Sequence, residues 1–119
     1  MTWNVEYTDE FGNWWNTLTE KEQNDIVGIV NLLVEKGTDL PFPYSSGINN
    51  SKYSQMRELR VQSSGKPLRI FYAFDPRRTA ILLIGGDKTG NDRFYEQYIP
   101  IADQLYQIYL QELEQEGLI

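Results

Sequence analysis

The residues that could do chemistry in this chain are cations and tyrosines, and most of the cations lie in its middle. The 119 residues contain no cysteine and no histidine. Thiolate chemistry and the usual general base near neutral pH are therefore excluded. Residues 52–93 hold nine Lys and Arg against four Asp and Glu, whereas the rest of the chain holds two against thirteen.

This uneven charge predicts a phosphate-binding face on a protein whose net charge is -6. Such a face is possible because a local field is set by nearby charges and is screened beyond about 8 to 10 Å. The alternative is that the cations are ordinary solvated strand residues.

Two arginines, Arg60 and Arg69, lie on consecutive predicted strands. If they point to the same side of neighbouring strands, their guanidinium groups form a fork suited to a phosphate, because each offers several fixed donors. Either arginine could instead form a salt bridge with an acid such as Glu58 or Asp75. For a single strand arginine the salt bridge is the more common arrangement.

The segment after the last predicted strand carries a second group, Lys88, Arg93 and Tyr95. This group lies beside a predicted helix N-terminus, which favours anions through its free N–H groups. The segment lacks the glycine and lysine spacing of a P-loop, which excludes nucleotide hydrolysis of that type. Tyr95 could equally be core packing. Asp87 and Asp92 could hold magnesium, but two carboxylates in a polar loop are more often turn chemistry.

Regular elements must position these groups, and the first ones are an N-terminal strand and a helical hairpin. Alternating apolar residues predict a strand over 3–7, and a short helix follows from Asp9. Thr19 with Glu22 has the spacing of a capping box, which begins a second helix that ends at Lys36-Gly37. The loop over 38–54 is rich in Pro, Gly, Ser and Asn.

The second half of the chain predicts a meander of strands over 56–62, 68–75 and 79–85, a mobile polar connection over 85–92, and a helical region over 94–113. Pro100 marks a point where that last helix restarts. Its apolar stripe is Ile101, Leu105, Ile108 and Tyr109. The order β-α-α-β-β-β-α predicts one α+β domain over 1–119, with a small antiparallel sheet packed against the helical hairpin and the C-terminal helix.

Three segments carry a family resemblance: Met56-Arg57-Glu58-Leu59-Arg60-Val61, Leu68-Arg69-Ile70-Phe71-Tyr72-Ala73-Phe74-Asp75, and Ala80-Ile81-Leu82-Leu83-Ile84-Gly85-Gly86-Asp87-Lys88. In this order they resemble the HigB-like, phage-derived branch of the RelE/ParE toxin superfamily, and the resemblance covers nearly the whole chain. It implies a RelE-like fold and a type II toxin–antitoxin toxin that cleaves messenger RNA, free or on the ribosome.

The resemblance also implies site residues and a mechanism without metal or cofactor. The family's strand cations would fall on Arg60 and Arg69, those after the last strand on Lys88 and Arg93, and its tyrosine on Tyr95 or Tyr98. In this mechanism an RNA 2'-hydroxyl attacks the adjacent phosphorus, the arginines stabilise the developing charge, and Lys88 or Arg93 helps the leaving oxygen. Tyr95 would stack on a base or assist proton transfer. Supplementary RNA contacts are predicted at Lys52, Arg57, Lys66 and Tyr98, with Arg57 on the opposite strand face.

The predicted partners are a cognate antitoxin, whose acidic segment would cover the basic face, and messenger RNA with the ribosome. A cytoplasmic location without a membrane partner is expected, because the first residues do not read as a signal peptide and no apolar run approaches the ~20 residues of a membrane span. Two alternatives remain: a ParE-like poison of DNA gyrase, and an inactive toxin-derived module that only binds a partner. Converging Arg60, Arg69 and Lys88 favour the ribonuclease.

Overall fold

The computed structural model describes residues 2–119 and shows five strands and three α-helices among them. The strands are β1 (Val5–Tyr7), β2 (Ser45–Gly47), β3 (Arg57–Ser63), β4 (Lys66–Phe74) and β5 (Ala80–Asp87). The helices are α1 (Asp9–Trp15), α2 (Glu20–Lys36) and α3 (Phe94–Gln115), and a 3-10 turn, Gly37–Asp39, follows α2. The strands form one sheet in the order β1-β5-β4-β3-β2, in which β1 runs parallel to β5 and the other pairs are antiparallel. The predicted α+β class is confirmed.

Side-chain caps begin both helices of the N-terminal hairpin. The Thr8 hydroxyl accepts a hydrogen bond from the backbone N–H of Phe11 at 3.0 Å and caps α1. At the start of α2, Thr19 accepts from the N–H of Glu22, and the Glu22 carboxylate accepts from the N–H of Thr19 at 2.9 Å. The predicted capping box is therefore present, and α2 ends at Gly37, whose φ of 57° suits glycine.

Helices cover the sheet on both faces. The hairpin of α1 and α2 packs on one face, over a core that includes Leu59, Ile70 and Leu82. Helix α3 packs on the other face, mainly on β4 and β5, over Phe71 and Leu83. Because successive strand residues point to opposite faces, the side chains of Glu58 and Arg60 share the α3 face of β3. They lie next to the strands on which α3 mainly packs.

The structure corrects the predicted loop over 38–54, which contains the edge strand β2. Ser45 pairs with Leu59, and Gly47 pairs with Arg57. Serine and glycine are poor strand formers, so this strand carries no local signal. Its extended conformation is stabilised by the backbone of β3.

The last third of the chain differs from its prediction in three respects. Gly85 and Gly86 belong to β5 instead of a mobile connection. Helix α3 continues through Pro100 without a restart. The predicted stripe of α3 is only partly buried: Leu105 and Tyr109 pack against the core, but Ile101 and Ile108 are exposed. The fully buried side chains of α3 include Phe94, Ile99, Ala102, Tyr106 and Leu113. Apolar residues flank α3 on two sides, so the side that packs is decided by the sheet.

Two adjacent glycines of β5 allow helices to approach both faces of the sheet. A Cβ at Gly85 would lie 2.3 Å from a ring carbon of Trp14 in α1. A Cβ at Gly86 would lie 2.7 Å from a ring carbon of Tyr98 in α3. Both distances are far below van der Waals contact. The indole and phenol rings occupy the space that a side chain would need, so these positions require glycine.

A candidate active site around Glu58

A buried carboxylate, Glu58 on β3, is the centre of the candidate site. Its Oε1 accepts a hydrogen bond from the Tyr95 hydroxyl at 2.8 Å, and its Oε2 accepts one from the Ser46 hydroxyl at 2.7 Å. Arg60 Nη1 lies 3.4 Å from Oε2, and Arg69 Nε lies 3.7 Å from Oε1. We call Glu58, Ser46, Arg60, Arg69 and Tyr95 the Glu58 cluster.

Strand register brings this cluster together. Arg60 pairs with Arg69 across β3 and β4, and Ser46 pairs with Glu58 across β2 and β3. Directly paired residues point to the same face of a sheet. The first turn of α3 then places Tyr95 over this face. The predicted fork of Arg60 and Arg69 and the alternative salt bridge to Glu58 are both present, because the two guanidinium groups share one carboxylate.

Arg69 is buried, and its N–H groups are only partly satisfied. Its Nη1 donates to the carbonyl oxygen of Leu68 at 3.0 Å. Its Nε is the one fully buried side-chain nitrogen or oxygen among residues 2–119 that lacks a hydrogen-bond partner. A buried donor without a partner costs free energy. Two guanidinium groups against one carboxylate also leave the Glu58 cluster with a net positive charge, which favours an additional anion.

Tyr95 connects the cluster to Lys88. Lys88 Nζ lies 5.1 Å from the centroid of the Tyr95 ring, and the Lys88 backbone N–H donates to the carbonyl oxygen of Pro67 at 3.0 Å, which holds the loop against the β3–β4 end of the sheet. Burial raises the pKa of the Tyr95 hydroxyl, and its hydrogen bond to Glu58 raises that pKa further. The phenol therefore stays protonated at neutral pH and acts as a hydrogen-bond donor.

Arg93 and Tyr98 do not join the cluster in this structure. Arg93 is exposed at the N-terminus of α3, and its Nε lies 3.1 Å from the Glu96 carboxylate. Tyr98 stacks on Phe94, with ring centroids 4.3 Å apart, and covers Gly86. Tyr98 therefore has a packing role, and among the described tyrosines Tyr95 is the one bonded to Glu58.

The three cations predicted as supplementary RNA contacts are placed apart from one another. Arg57 points to the opposite face of β3, where its Nε donates to the Ser45 hydroxyl at 3.0 Å. Lys66, at the start of β4, lies 3.4 Å from the carboxylate of Glu22 in α2. Lys52 lies in the loop that is bonded to α3 through its backbone N–H and the Asp103 carboxylate.

Asp87, one of the two carboxylates predicted as possible magnesium ligands, has hydrogen-bond partners within its own turn. Asp87 accepts hydrogen bonds from the backbone N–H and the hydroxyl of Thr89, which is turn chemistry. Within residues 2–119, no group of three or more acidic side chains is placed to hold a metal ion.

Sequence reasoning missed the central role of Glu58 and the presence of Ser46 and Phe42. The sequence predicts Glu58 only as a salt-bridge partner, although its position two residues before Arg60 places it on the same strand face. Ser46 lies on the unpredicted strand β2. The Phe42 ring lies 5.1 Å from Arg60 Cζ, and this contact has no signal in the sequence because Phe42 lies in an irregular turn.

Comparisons with known proteins agree with this fold. The sequence profile of the phage-derived Gp49-like protein family matches residues 13–107. The candidate toxin HigB3 of Mycobacterium tuberculosis is 44% identical over 92 residues, which cover 76% of this chain and 79% of HigB3. The candidate toxin HigB2 of the same organism is 33% identical over 103 residues, which cover 85% of this chain but only 51% of HigB2.

Solved structures share the fold at low identity. A mutant of the Escherichia coli toxin RelE in its free state superposes with a TM-score of 0.58 at 10% identity, covering 81% of this chain and 94% of RelE. The toxin–antitoxin complex RelBE2 of Mycobacterium tuberculosis gives a TM-score of 0.55 at 15% identity, covering 73% of this chain and 99% of the matched one. The fold is therefore that of RelE-like toxins. The chain belongs to the phage-derived Gp49-like family and is a toxin of the RelE/HigB kind.

Among residues 2–119, no helix combines the length and the apolar character that crossing a membrane requires.

Proposed function

We propose that this toxin is an endoribonuclease that cleaves messenger RNA by attack of a ribose 2'-hydroxyl on the adjacent phosphorus. The observation that supports the proposal is the convergence of Arg60, Arg69 and Tyr95 on the buried Glu58 carboxylate, with Lys88 over the Tyr95 ring. A protein that only binds a partner does not need cations beside a pair of groups that can transfer a proton, such as Tyr95 and Glu58. The family relationship to candidate toxins HigB3 and HigB2 supports the same conclusion.

In this proposal the arginines bind the scissile phosphate. Arg60 is partly exposed, and its 3.4 Å separation from Glu58 is long for a charged hydrogen bond. A phosphate oxygen can therefore replace Glu58 as its partner at low cost. Arg69 is buried beside Glu58, and its positive charge stabilises the negative charge that develops on the phosphoryl oxygens. Donors placed in this way typically contribute ~10²- to 10³-fold each to the rate.

The proton of the 2'-hydroxyl needs an acceptor, and Tyr95 with Glu58 can provide one. The Tyr95 oxygen takes that proton while its own hydroxyl proton passes to Glu58 Oε1, 2.8 Å away. The phenol never ionises in this relay, which agrees with its raised pKa. The Lys88 ammonium donates a proton to the 5'-oxygen as the P–O bond breaks, leaving a 2',3'-cyclic phosphate.

We further propose an antitoxin partner and a cytoplasmic location. Matched chains of RelE-like fold come from toxin–antitoxin complexes, among them RelBE2 and an archaeal RelE–RelB complex from Pyrococcus horikoshii. An acidic antitoxin segment over Arg60 and Lys88 would neutralise the cations that bind the phosphate. The messenger RNA substrate places the toxin in the cytoplasm.

The test compares Arg60→Ala with Arg77→Ala after induced expression. These two arginines are matched, because their side chains are 29% and 28% exposed and each pairs with a buried carboxylate. Arg77 lies at the β4–β5 turn, outside the Glu58 cluster. Growth is followed while total RNA is examined by primer extension, and thermal unfolding checks that each purified variant folds.

We expect wild type and Arg77→Ala to arrest growth and to produce new messenger-RNA ends, and Arg60→Ala to do neither. Arrest with intact RNA would contradict the proposal and point to gyrase. No arrest by a folded wild-type protein would indicate a module that only binds a partner.

A further inference from the structure

An exposed aromatic ring, Phe42, lies at the edge of the Glu58 cluster. Its side chain is 68% exposed, and the Arg60 guanidinium carbon lies 5.1 Å from the centre of its ring. The ring is held in a short turn between two prolines, in which the N–H groups of Tyr44 and Ser45 both donate to the carbonyl oxygen of Pro41. The ring is thus presented by a bonded turn, with a cation against it.

The turn is placed relative to the strand cations by one backbone hydrogen bond. The N–H of Arg60 donates to the carbonyl oxygen of Tyr44 at 2.9 Å, so the turn lies beside β3 on the side away from β4. Across the sheet, the order is Lys88 after β5, Arg69 on β4, Arg60 on β3 and then Phe42. Neighbouring strands are ~4.8 Å apart, so the turn that carries Phe42 lies two strand spacings, roughly 10 Å, beyond Arg69. This is about the distance from a phosphate to a base of an adjacent nucleotide.

We propose that Phe42 is a stacking platform for one unpaired base of the RNA substrate, on the nucleotide next to the scissile phosphate. This inference rests on the proposed ribonuclease function. A nucleotide offers the two groups that this edge can bind: an anionic phosphate for Arg60, and a flat aromatic face for the ring. Stacking on aromatic side chains is how proteins commonly bind single-stranded RNA bases.

Arg60 then has two contacts in the complex. It contributes to phosphate binding, and its guanidinium packs on the inner side of the Phe42 ring, whose outer side stays open for a base. The ring touches no reacting atom in this arrangement, so it positions the substrate and does not take part in the chemistry. Removing the ring should therefore weaken RNA binding more than it slows the bound reaction.

The test uses Phe42→Ala, Phe42→Trp and Tyr7→Ala. Tyr7 is the matched control, since it is an aromatic residue with 67% exposure on β1, the opposite edge of the sheet. Binding is measured with a short RNA that carries one 2'-deoxynucleotide at the cleavage position, which removes the nucleophile and separates affinity from cleavage. The RNA is offered free and on purified ribosomes. A second series replaces each base near the cleavage position, one at a time, with an abasic nucleotide.

We expect Phe42→Ala to lose about 5- to 100-fold in affinity, the range of one base stacked on an aromatic ring, while Phe42→Trp and Tyr7→Ala bind like wild type. One abasic position should weaken binding by wild type but not by Phe42→Ala. The stacking is overturned if wild type binds and cleaves but Phe42→Ala matches Tyr7→Ala, or if no abasic position separates the two proteins. A folded wild type that neither binds nor cleaves RNA overturns the proposed function as well, so the two failures are distinct.

Discussion

Tyr95 is the residue on which the proposed chemistry depends most directly, because its hydroxyl joins the substrate side of the site to Glu58. Its raised pKa means that the protonated phenol is favoured in the folded protein. That preference is fully present below the ordinary tyrosine pKa of ~10 and is lost only as the pH rises through the higher folded-state value. Between neutral pH and pH ~9, Tyr95 should therefore not ionise.

We predict that Tyr95→Phe lowers the cleavage rate by about 10²-fold or more, within the usual range for loss of a proton-transfer group. Because Tyr95 should not ionise across the neutral range, the mutation should lower the cleavage rate by the same factor at every pH. The shape of the pH profile should stay the same. The measurement is single-turnover cleavage from pH 6 to 9. Tyr98→Phe is the control, because that hydroxyl lies in the packing contact over Gly86; a neutral limb that disappears only in Tyr95→Phe would show phenolate catalysis instead.

At the scale of residues, the sequence was sufficient to find the cations but not their arrangement. Strand alternation correctly placed Arg57 on the face opposite Arg60. It left open whether Arg60 and Arg69 share a face, and the strand register shows that they do. It could not show that one carboxylate, Glu58, lies between them, because that requires the strand register and the tilt of α3. For the same reason Arg93, two residues before Tyr95, could not be separated from the cluster by spacing alone.

Among the elements, β5 carries a tight packing constraint on each of its two faces. Gly85 and Gly86 point to opposite faces, and each is covered by an aromatic ring from a different helix. The sequence predicted flexibility here because paired glycines usually mark loops. The structure shows that they instead allow α1 and α3 to pack closely on one strand.

We predict that Gly85→Ala destabilises the protein by about 1–3 kcal/mol, the usual cost of overpacking, because the new methyl group would displace Trp14. Gly28→Ala is the opposite case: it lies inside α2 with no atom within 4 Å of the added carbon. It should raise stability by about 0.5–1 kcal/mol through helix propensity. Urea unfolding of both variants measures this. Equal effects would contradict the assigned role of Gly85.

Capping signals and hydrophobic periodicity were sufficient to predict the elements of the hairpin. They were insufficient for β2, whose Ser45-Ser46-Gly47 is extended only because β3 offers unpaired backbone groups. They also predicted only part of the packing face of α3, since Leu105 and Tyr109 pack against the core whereas Ile101 and Ile108 do not. The elements that depend on local sequence were thus predicted, and those that depend on a partner were not.

The whole molecule combines a net charge of -6 with a cationic site, and this has a measurable consequence. The proposed RNA binding through Arg60, Arg69 and Lys88 would release counterions from about three phosphate contacts. The logarithm of the binding constant should then fall with the logarithm of salt concentration with a slope of about -2 for single-stranded RNA.

We predict that Lys88→Gln reduces the magnitude of that slope by about 0.7, the value for one lost phosphate contact. Lys21→Gln should leave it unchanged, because Lys21 is on α2 and pairs with Asp25 at 3.1 Å. Equilibrium titrations between about 50 and 200 mM salt measure both slopes. An equal reduction in both variants would show that overall charge, and not the site, determines RNA binding.

The pairing of β1 with β5 also sets the order in which the molecule can be completed during synthesis. Val5 pairs with Ala80, so β1 cannot pair in the sheet until a partner strand 75 residues later in the chain has been synthesised. Tyr95 follows later still, and without it Glu58 has no hydrogen bond from α3. The arginines of a nascent chain are therefore synthesised before the helix that completes their arrangement around Glu58.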